Sequence, residues 1–221
     1  YTDFFKTDKK IAGTTPQSYT KAHNKFYQNI PERIFQDTPA VKMIYIVRDP
    51  VKRYPSHILE SYHCDSEEDV IYSKESGNYW KTSLYFYQIS EFLKYFQKEQ
   101  IYVLALEDLQ ANPLKELNGI FKFLEVEELN DPSIFDFTSN SAETKGIPRK
   151  VKDHILYRIA GKLNKNLTAK VGSKIAERFF AKLLVKPVLS EDEEQDLRKK
   201  LEEDVQNFRV LTGNSFSRWS I

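Results

Sequence analysis

Two short stretches of the chain are almost wholly apolar, and most other apolar residues recur at helical spacing. Val41 to Val47, broken only by Lys42, is rich in β-branched and aromatic residues and predicts a strand buried on both faces. Arg48-Asp49-Pro50 ends it. Asp49 is a good N-cap and Pro50 a good first helical residue, so a helix is expected from about Pro50 to Tyr62. The polar stretch 63–77 predicts a loop, and Tyr79 to Gln97 one long helix, in which Leu84, Tyr87, Phe92, Tyr95 and Phe96 broadly follow helical spacing. Ile101 to Leu106 predicts a second buried strand. Asn112-Pro113 repeats the cap signal before a helix striped by Leu117, Ile120, Phe121 and Leu124. Strand, helix, helix, strand, helix is the order of a parallel sheet with helical crossovers, so the fold class is α/β. The second half is expected to be helical. Its last helix opens on a capping box of Ser190 and Glu193 and stops near Gly213. Near the start, Lys10 to Gly13 is expected as a short strand, followed by a polar turn at Thr14-Thr15-Pro16.

Composition narrows the class without naming a chemistry. A length of 221 residues without an internal repeat or a clear linker predicts a single domain over 1–221. Hydrophobic residues at 40% and charged residues at 29% exclude a disordered chain. No apolar run approaches the ~20 residues of a membrane span, and no signal peptide opens the chain. The lone cysteine, Cys64, excludes an internal disulfide and any CxxC site. Together these point to the cytoplasm, or to the Golgi lumen if an anchor precedes the segment. A net charge of +1 gives no field favouring nucleic acid, so none is expected as a partner. The charge is uneven, however. Residues 141–186 carry twelve Lys/Arg against three Asp/Glu, and residues 191–204 carry eight acids against three bases. Either two solvated helix faces pair with each other, or the basic segment faces an anionic ligand.

The segment Val47 to His57 carries the most chemistry. Arg48 lies at the carboxyl end of a predicted parallel strand, the edge at which open α/β sheets bind ligands. A helix starts directly after it and aims backbone N–H groups at the same place. At helical spacing Arg53, Ser56 and Glu60 share one flank. A strand-end Arg and a Ser two turns into the helix can both reach one phosphate, the first as a charged fork and the second as a neutral donor. Pairing of Arg48 with Asp49 or another carboxylate is the competing reading.

The same segment resembles the 3′-phosphate-binding element of the PAPS-dependent sulfotransferases: a hydrophobic strand, Arg-[Asp/Asn]-Pro, then Arg and Ser-His. The likeness continues through Ser83, Tyr87, Phe92 and Tyr95-Phe96. It includes Ile101 to Leu109 with Asn112-Pro113, Asn140-Ser141 with Lys145 to Arg149, and the tail Leu211 to Trp219. It is closest to the bacterial and heparan-type branch. The resemblance implies a P-loop-like parallel sheet flanked by helices. It also implies transfer of a sulfuryl group from 3′-phosphoadenosine 5′-phosphosulfate (PAPS) to a small-molecule or carbohydrate hydroxyl or amine, with no metal. Arg48 and Ser56 would hold the 3′-phosphate, Lys145 and Arg149 would close over the nucleotide, and Glu107 would be structural.

Two departures bear on activity. The family's Lys-Gly-Gly-Thr-type loop, which cradles the 5′-phosphosulfate, has no counterpart upstream of residue 11, and no G-x-x-x-x-G-K occurs. The domain is therefore expected to be N-terminally incomplete and the chain as given to be inactive or weak. The family's general-base Glu falls on Thr14 or Gly13, depending on whether Tyr19-Thr20-Lys21 or Thr15-Pro16 is aligned. His57 and His23 are the candidates to replace it, since histidine titrates near neutral pH. A non-catalytic module that binds PAPS or its product PAP, and a P-loop phosphotransferase, are the alternatives. His57, His63, Cys64 and Asp65 do not have a usual metal-ligand spacing. The aromatic runs Tyr79-Trp80 and Tyr85 to Tyr87 are assigned to the core.

Overall fold

The computed structural model describes residues 10–16, 18–65, 67–131 and 187–221. Helix α1 (Ile30–Asp37) opens on Asn29 in the left-handed region, at φ 61°, with a proline in its first turn. Strand β1 (Met43–Val47) leads into α2 (Pro50–Cys64), then α3 (Glu67–Glu75), α4 (Asn78–Lys81) and α5 (Tyr85–Leu93). Strand β2 (Ile101–Ala105) is followed by α6 (Leu106–Ala111) and α7 (Pro113–Leu124). Helix α8 (Glu191–Thr212) completes the described elements. The strands pair in parallel, Met43 opposite Ile101 and Val47 opposite Ala105, so both carboxyl ends lie at one edge. No described helix is long and apolar enough to cross a membrane.

One core joins these elements. Val47, Val51, Tyr85, Ile89 and Ala105 pack against Leu197, Leu201, Val205 and Phe208, which line one stripe of α8, and against Phe216 and Trp219 beyond it. The Phe216 and Trp219 rings stack at 4.3 Å between centroids, and Phe208 lies 5.3 Å from Phe216. Each such buried side chain contributes about 1.5–3 kcal/mol relative to leaving it in water. The expected capping box at Ser190 and Glu193 is present, and Gly213 ends α8 in the left-handed region at φ 72°.

Several local expectations are corrected. Lys10 to Gly13 forms no strand. The stretch expected as a loop is helical over most of its length, because α2 runs on to Cys64 and α3 follows. Leu106 belongs to α6 rather than to the second strand. The strand expected to be buried on both faces alternates instead: Tyr45 and Val47 turn inward, while Ile44 and Ile46 remain 39% and 54% exposed. Among the described residues only β2 pairs with β1, so its run of apolar residues overstated the burial.

The long helix expected over 79–97 is broken at Thr82–Leu84. The Thr82 hydroxyl bonds back to the Asn78 carbonyl at 2.5 Å, and the chain restarts as α5 under a cap supplied from elsewhere. Asp204 of α8 accepts the N–H groups of Phe86 at 3.0 Å and Tyr87 at 2.8 Å. Burial outweighs those bonds and raises its carboxyl to about 6, which leaves it ionised at neutral pH. Asp204→Ala orphans two helix-end donors in one step. It is expected to cost about 1–2 kcal/mol in denaturant melts at pH 7.5, and an unchanged midpoint would show that the cap carries no weight.

Candidate functional site

The carboxyl edge of the sheet is tightly tied. The Tyr85 hydroxyl donates to the Arg48 carbonyl at 2.8 Å, and the Asp49 N–H donates to Glu107 Oε1 at 2.9 Å. The Asp49 carboxylate is fully buried. Its Oδ1 accepts the N–H groups of Val51 and Lys52 at 3.0 and 3.2 Å, and its Oδ2 accepts that of Ser220 at 2.8 Å. Glu107 Oε2 accepts the Trp219 indole N–H at 3.2 Å. Glu107 thus links strand, helix and tail, the structural part expected of it.

This accounting bears on the competing reading for Arg48. Asp49 is occupied by three backbone donors and by Lys52 at 3.5 Å, and Arg48 Nε is buried without a partner among the described residues. A guanidinium with a desolvated, unsatisfied N–H at a helix N-terminus suits an anion. Ser56, two turns into α2, donates to the Lys52 carbonyl at 3.2 Å. That long intrahelical bond is readily exchanged for a stronger one to a charged oxygen.

A second group lies beside it. Arg53, on the same helix as Ser56 and His57, has Nη1 buried without a partner among the described residues, and so does His57 at Nδ1. The His57 ring meets Tyr79 edge-on at 5.0 Å. Burial, and then the charges of Arg53 and Lys21, push its pKa down to about 3, so the ring is neutral throughout the physiological range. His23 is also lowered, chiefly by burial. Its Nε2 is 2.8 Å from Asn78 Oδ1 and its Nδ1 is 3.1 Å from Gln88 Nε2. That pairing corresponds to the neutral Nε2–H tautomer and engages both ring nitrogens.

The sign of the His57 shift gives a stability test. A folded-state pKa below the ordinary 6.5 means that the unfolded chain takes up the proton first. Stability from this residue is present above pH 6.5 and is lost as pH falls toward 3. Asp204, raised to about 6, acts in the opposite sense between about pH 4 and 6. Urea melts of an Asp204→Asn variant are expected to fall steadily in midpoint below pH 6.5, and adding His57→Gln is expected to flatten that fall. Parallel curves for the two would contradict the assignment.

The remaining candidates are quickly placed. Lys145, Arg149 and the rest of the basic segment lie outside the described residues. Among the described residues no group of three His, Cys, Asp or Glu side chains could hold a metal. A cavity of about 140 Å³ lined by Leu93, Ile101 and Leu211 is at the opposite, amino end of the strands and has no part in the site. Sequence reasoning placed Arg53 on the Ser56 flank but gave neither it nor Lys21 a role beside His57. The helical spacing of Arg53 from Ser56 and His57 was the available signal.

The sheet edge thus brings together a strand-end Arg whose Nε has no partner among the described residues, a capping Asp and a Ser two turns on, groups that could hold an anion. The sulfotransferase domain family matches residues 6–182, most of the chain, and the chain belongs to that family. It is 29% identical over 133 residues to human heparan sulfate glucosamine 3-O-sulfotransferase 5, covering 52% of this chain and 38% of that protein. The mouse protein of the same name matches to the same extent. The chain thus spans well under half the length of these relatives. A solved sulfotransferase from Alicyclobacillus acidocaldarius superposes with a TM-score of 0.53 at 18% identity, over 92% of this chain and 65% of that one. That likeness supports the α/β fold.

Proposed function

We propose that this chain is the nucleotide-binding and acceptor-binding part of a PAPS-dependent sulfotransferase, with a P-loop-like sheet and a carbohydrate acceptor favoured. The Nε of Arg48 at the head of α2, buried without a partner among the described residues, carries the reading. Arg48 and Ser56 hold the 3′-phosphate, and Lys145 and Arg149 close over the nucleotide. The acceptor oxygen attacks sulfur in line, a new S–O bond forms, and the bond from sulfur to the 5′-phosphate oxygen breaks to leave PAP. Positioning and fixed charge do most of the work in such a displacement.

The hydroxyl proton needs an acceptor. His57 Nδ1 has no partner among the described residues and the ring is neutral, so it can take the hydrogen bond of the incoming hydroxyl and then its proton. The depressed pKa makes it a weak base, which slows transfer rather than binding. His23 positions the segment that bears Lys21. The depressed His57 also favours one alternative, a module that binds PAP or PAPS without turnover. Incubation with radiolabelled PAPS and a panel of sulfated, uronic-acid and aryl acceptors separates the two. Label in a carbohydrate product, lost in His57→Gln with PAP binding retained, is the expected result. PAP binding with no product from any acceptor would favour the binding module, and failure to bind PAP would overturn both.

A further inference from the structure

Tyr85 carries more than a core ring. The ring is buried, edge-on to Tyr45 at 6.0 Å and beside Phe208 and Trp219 at 5.7 and 5.6 Å. A phenylalanine ring would fill that space equally well, so packing does not account for the hydroxyl. The hydroxyl goes to Arg48 on both sides of its Cα. It donates to the Arg48 carbonyl at 2.8 Å and accepts the Arg48 N–H at a longer 3.4 Å. Burial pushes the phenol up to about 12, so it stays protonated and keeps donating throughout the physiological range.

Arg48 is a residue for which such support counts. It stands one residue beyond the last paired position of the sheet, Val47 opposite Ala105, and one before the Asp49 cap. The peptide that joins Arg48 to Asp49 is held at both ends. Its carbonyl takes the Tyr85 hydroxyl, from α5, and its N–H goes to Glu107, on α6, at 2.9 Å. Peptides are planar, so the planes on either side of a Cα fix the direction of its Cβ. These bonds therefore set the direction in which the guanidinium leaves the chain. Tyr85 is in turn placed from a distance. It opens α5, whose first turn is capped by Asp204 of α8 through the N–H groups of Phe86 and Tyr87. The carboxylate on α8 fixes the helix start, the helix start fixes the phenol, and the phenol fixes the Arg48 peptide.

We propose that Tyr85, anchored by Asp204, is a positioning residue for Arg48: its hydroxyl holds the Arg48 backbone so that the guanidinium is preset to receive a phosphate. A guanidinium is a directional fork. Freeing the backbone beneath it weakens phosphate binding through lost preorganisation, with the charge itself still present. The inference rests on the reading of Arg48 as the 3′-phosphate ligand for its effect on binding, but the state of the guanidinium is also measured without nucleotide.

The test is a double-variant cycle on the full chain: wild type, Tyr85→Phe, Arg48→Ala and the two combined. Calorimetry gives the affinity of each for PAP and for adenosine 5′-phosphate. Tyr85→Phe is expected to lower the preference for PAP by about three- to tenfold when Arg48 is present, and by less than about 1.5-fold when it is alanine. A residue that only supports the fold would weaken both nucleotides alike and act equally in both backgrounds, and that result overturns the proposal. So does a preference left unchanged by Tyr85→Phe. Asp204→Asn should act in the same direction by a smaller factor, and a full preference in that variant overturns the anchoring step. The second readout is the Arg48 Nε–H signal in NMR spectra of the nucleotide-free chain, assigned by its loss in Arg48→Ala. Its exchange with water should be at least about fivefold faster in Tyr85→Phe, and an unchanged rate overturns the proposal. If the wild-type chain shows no preference for PAP, the nucleotide reading alone fails, and the exchange rate decides whether Tyr85 positions Arg48. Should Tyr85→Phe not fold, Asp204→Asn takes its place in both measurements under the same criteria.

Discussion

Asp49→Ala is expected to destabilise the chain by about 2–5 kcal/mol and to loosen the candidate phosphate site together with the tail. The buried carboxylate caps α2 through Val51 and Lys52, and it also accepts the Ser220 N–H. Losing the cap accounts for about 1 kcal/mol, up to 2, and a buried N–H left without an acceptor for a further 1–3. Asp49→Asn keeps one accepting oxygen and should recover part of the loss. Urea melts followed by tryptophan fluorescence provide a second reading, because Trp219 is held by Glu107, which also receives the Asp49 N–H. A midpoint shift equivalent to less than about 1 kcal/mol would show that the network does not hold the strand end.

Arg48→Ala is expected to weaken PAP binding by about 1.5–3 kcal/mol, or roughly 10- to 150-fold, the range of a charge-assisted hydrogen bond. The fold should be unaffected. The substitution removes a side chain whose Nε has no described partner, while the backbone bond from Tyr85 and the Asp49 network remain. Ser56→Ala should act in the same direction but less, because a neutral donor contributes about 0.5–1.5 kcal/mol. Equal stability with equal PAP affinity in Arg48→Ala would remove the nucleotide from this edge of the sheet.

The strand end and helix start were legible in the residues because their parts are local. A β-branched run, an Asp-Pro cap and a Ser seven residues after the Asp define strand end, helix start and facing side without any distant contact. The parallel pairing of β1 and β2 followed from element order. What failed depended on distant partners. The break at Thr82–Leu84 is set by Asp204, which lies over a hundred residues away and reads in sequence as one more acid on a charged helix. The exposure of Ile44 and Ile46 could not be read from a run that looks the same whether one face or both are covered. The surroundings of the two histidines depend on distant contacts as well. His23 and His57 are equally plausible bases by spacing, but the pairing of His23 with Asn78 and Gln88 and the burial of His57 separate them.

The central claim is that Arg48 reads the 3′-phosphate of an adenine nucleotide, and a four-way binding cycle measures it. The affinities of the wild-type chain and of Arg48→Ala are determined by calorimetry for PAP and for adenosine 5′-phosphate, which differ only in that phosphate. Wild-type chain is expected to favour PAP by at least about tenfold, and Arg48→Ala to lose most of that preference while its affinity for adenosine 5′-phosphate hardly changes. Equal affinity of the wild-type chain for the two nucleotides, or a preference for PAP that survives intact in Arg48→Ala, would contradict the account.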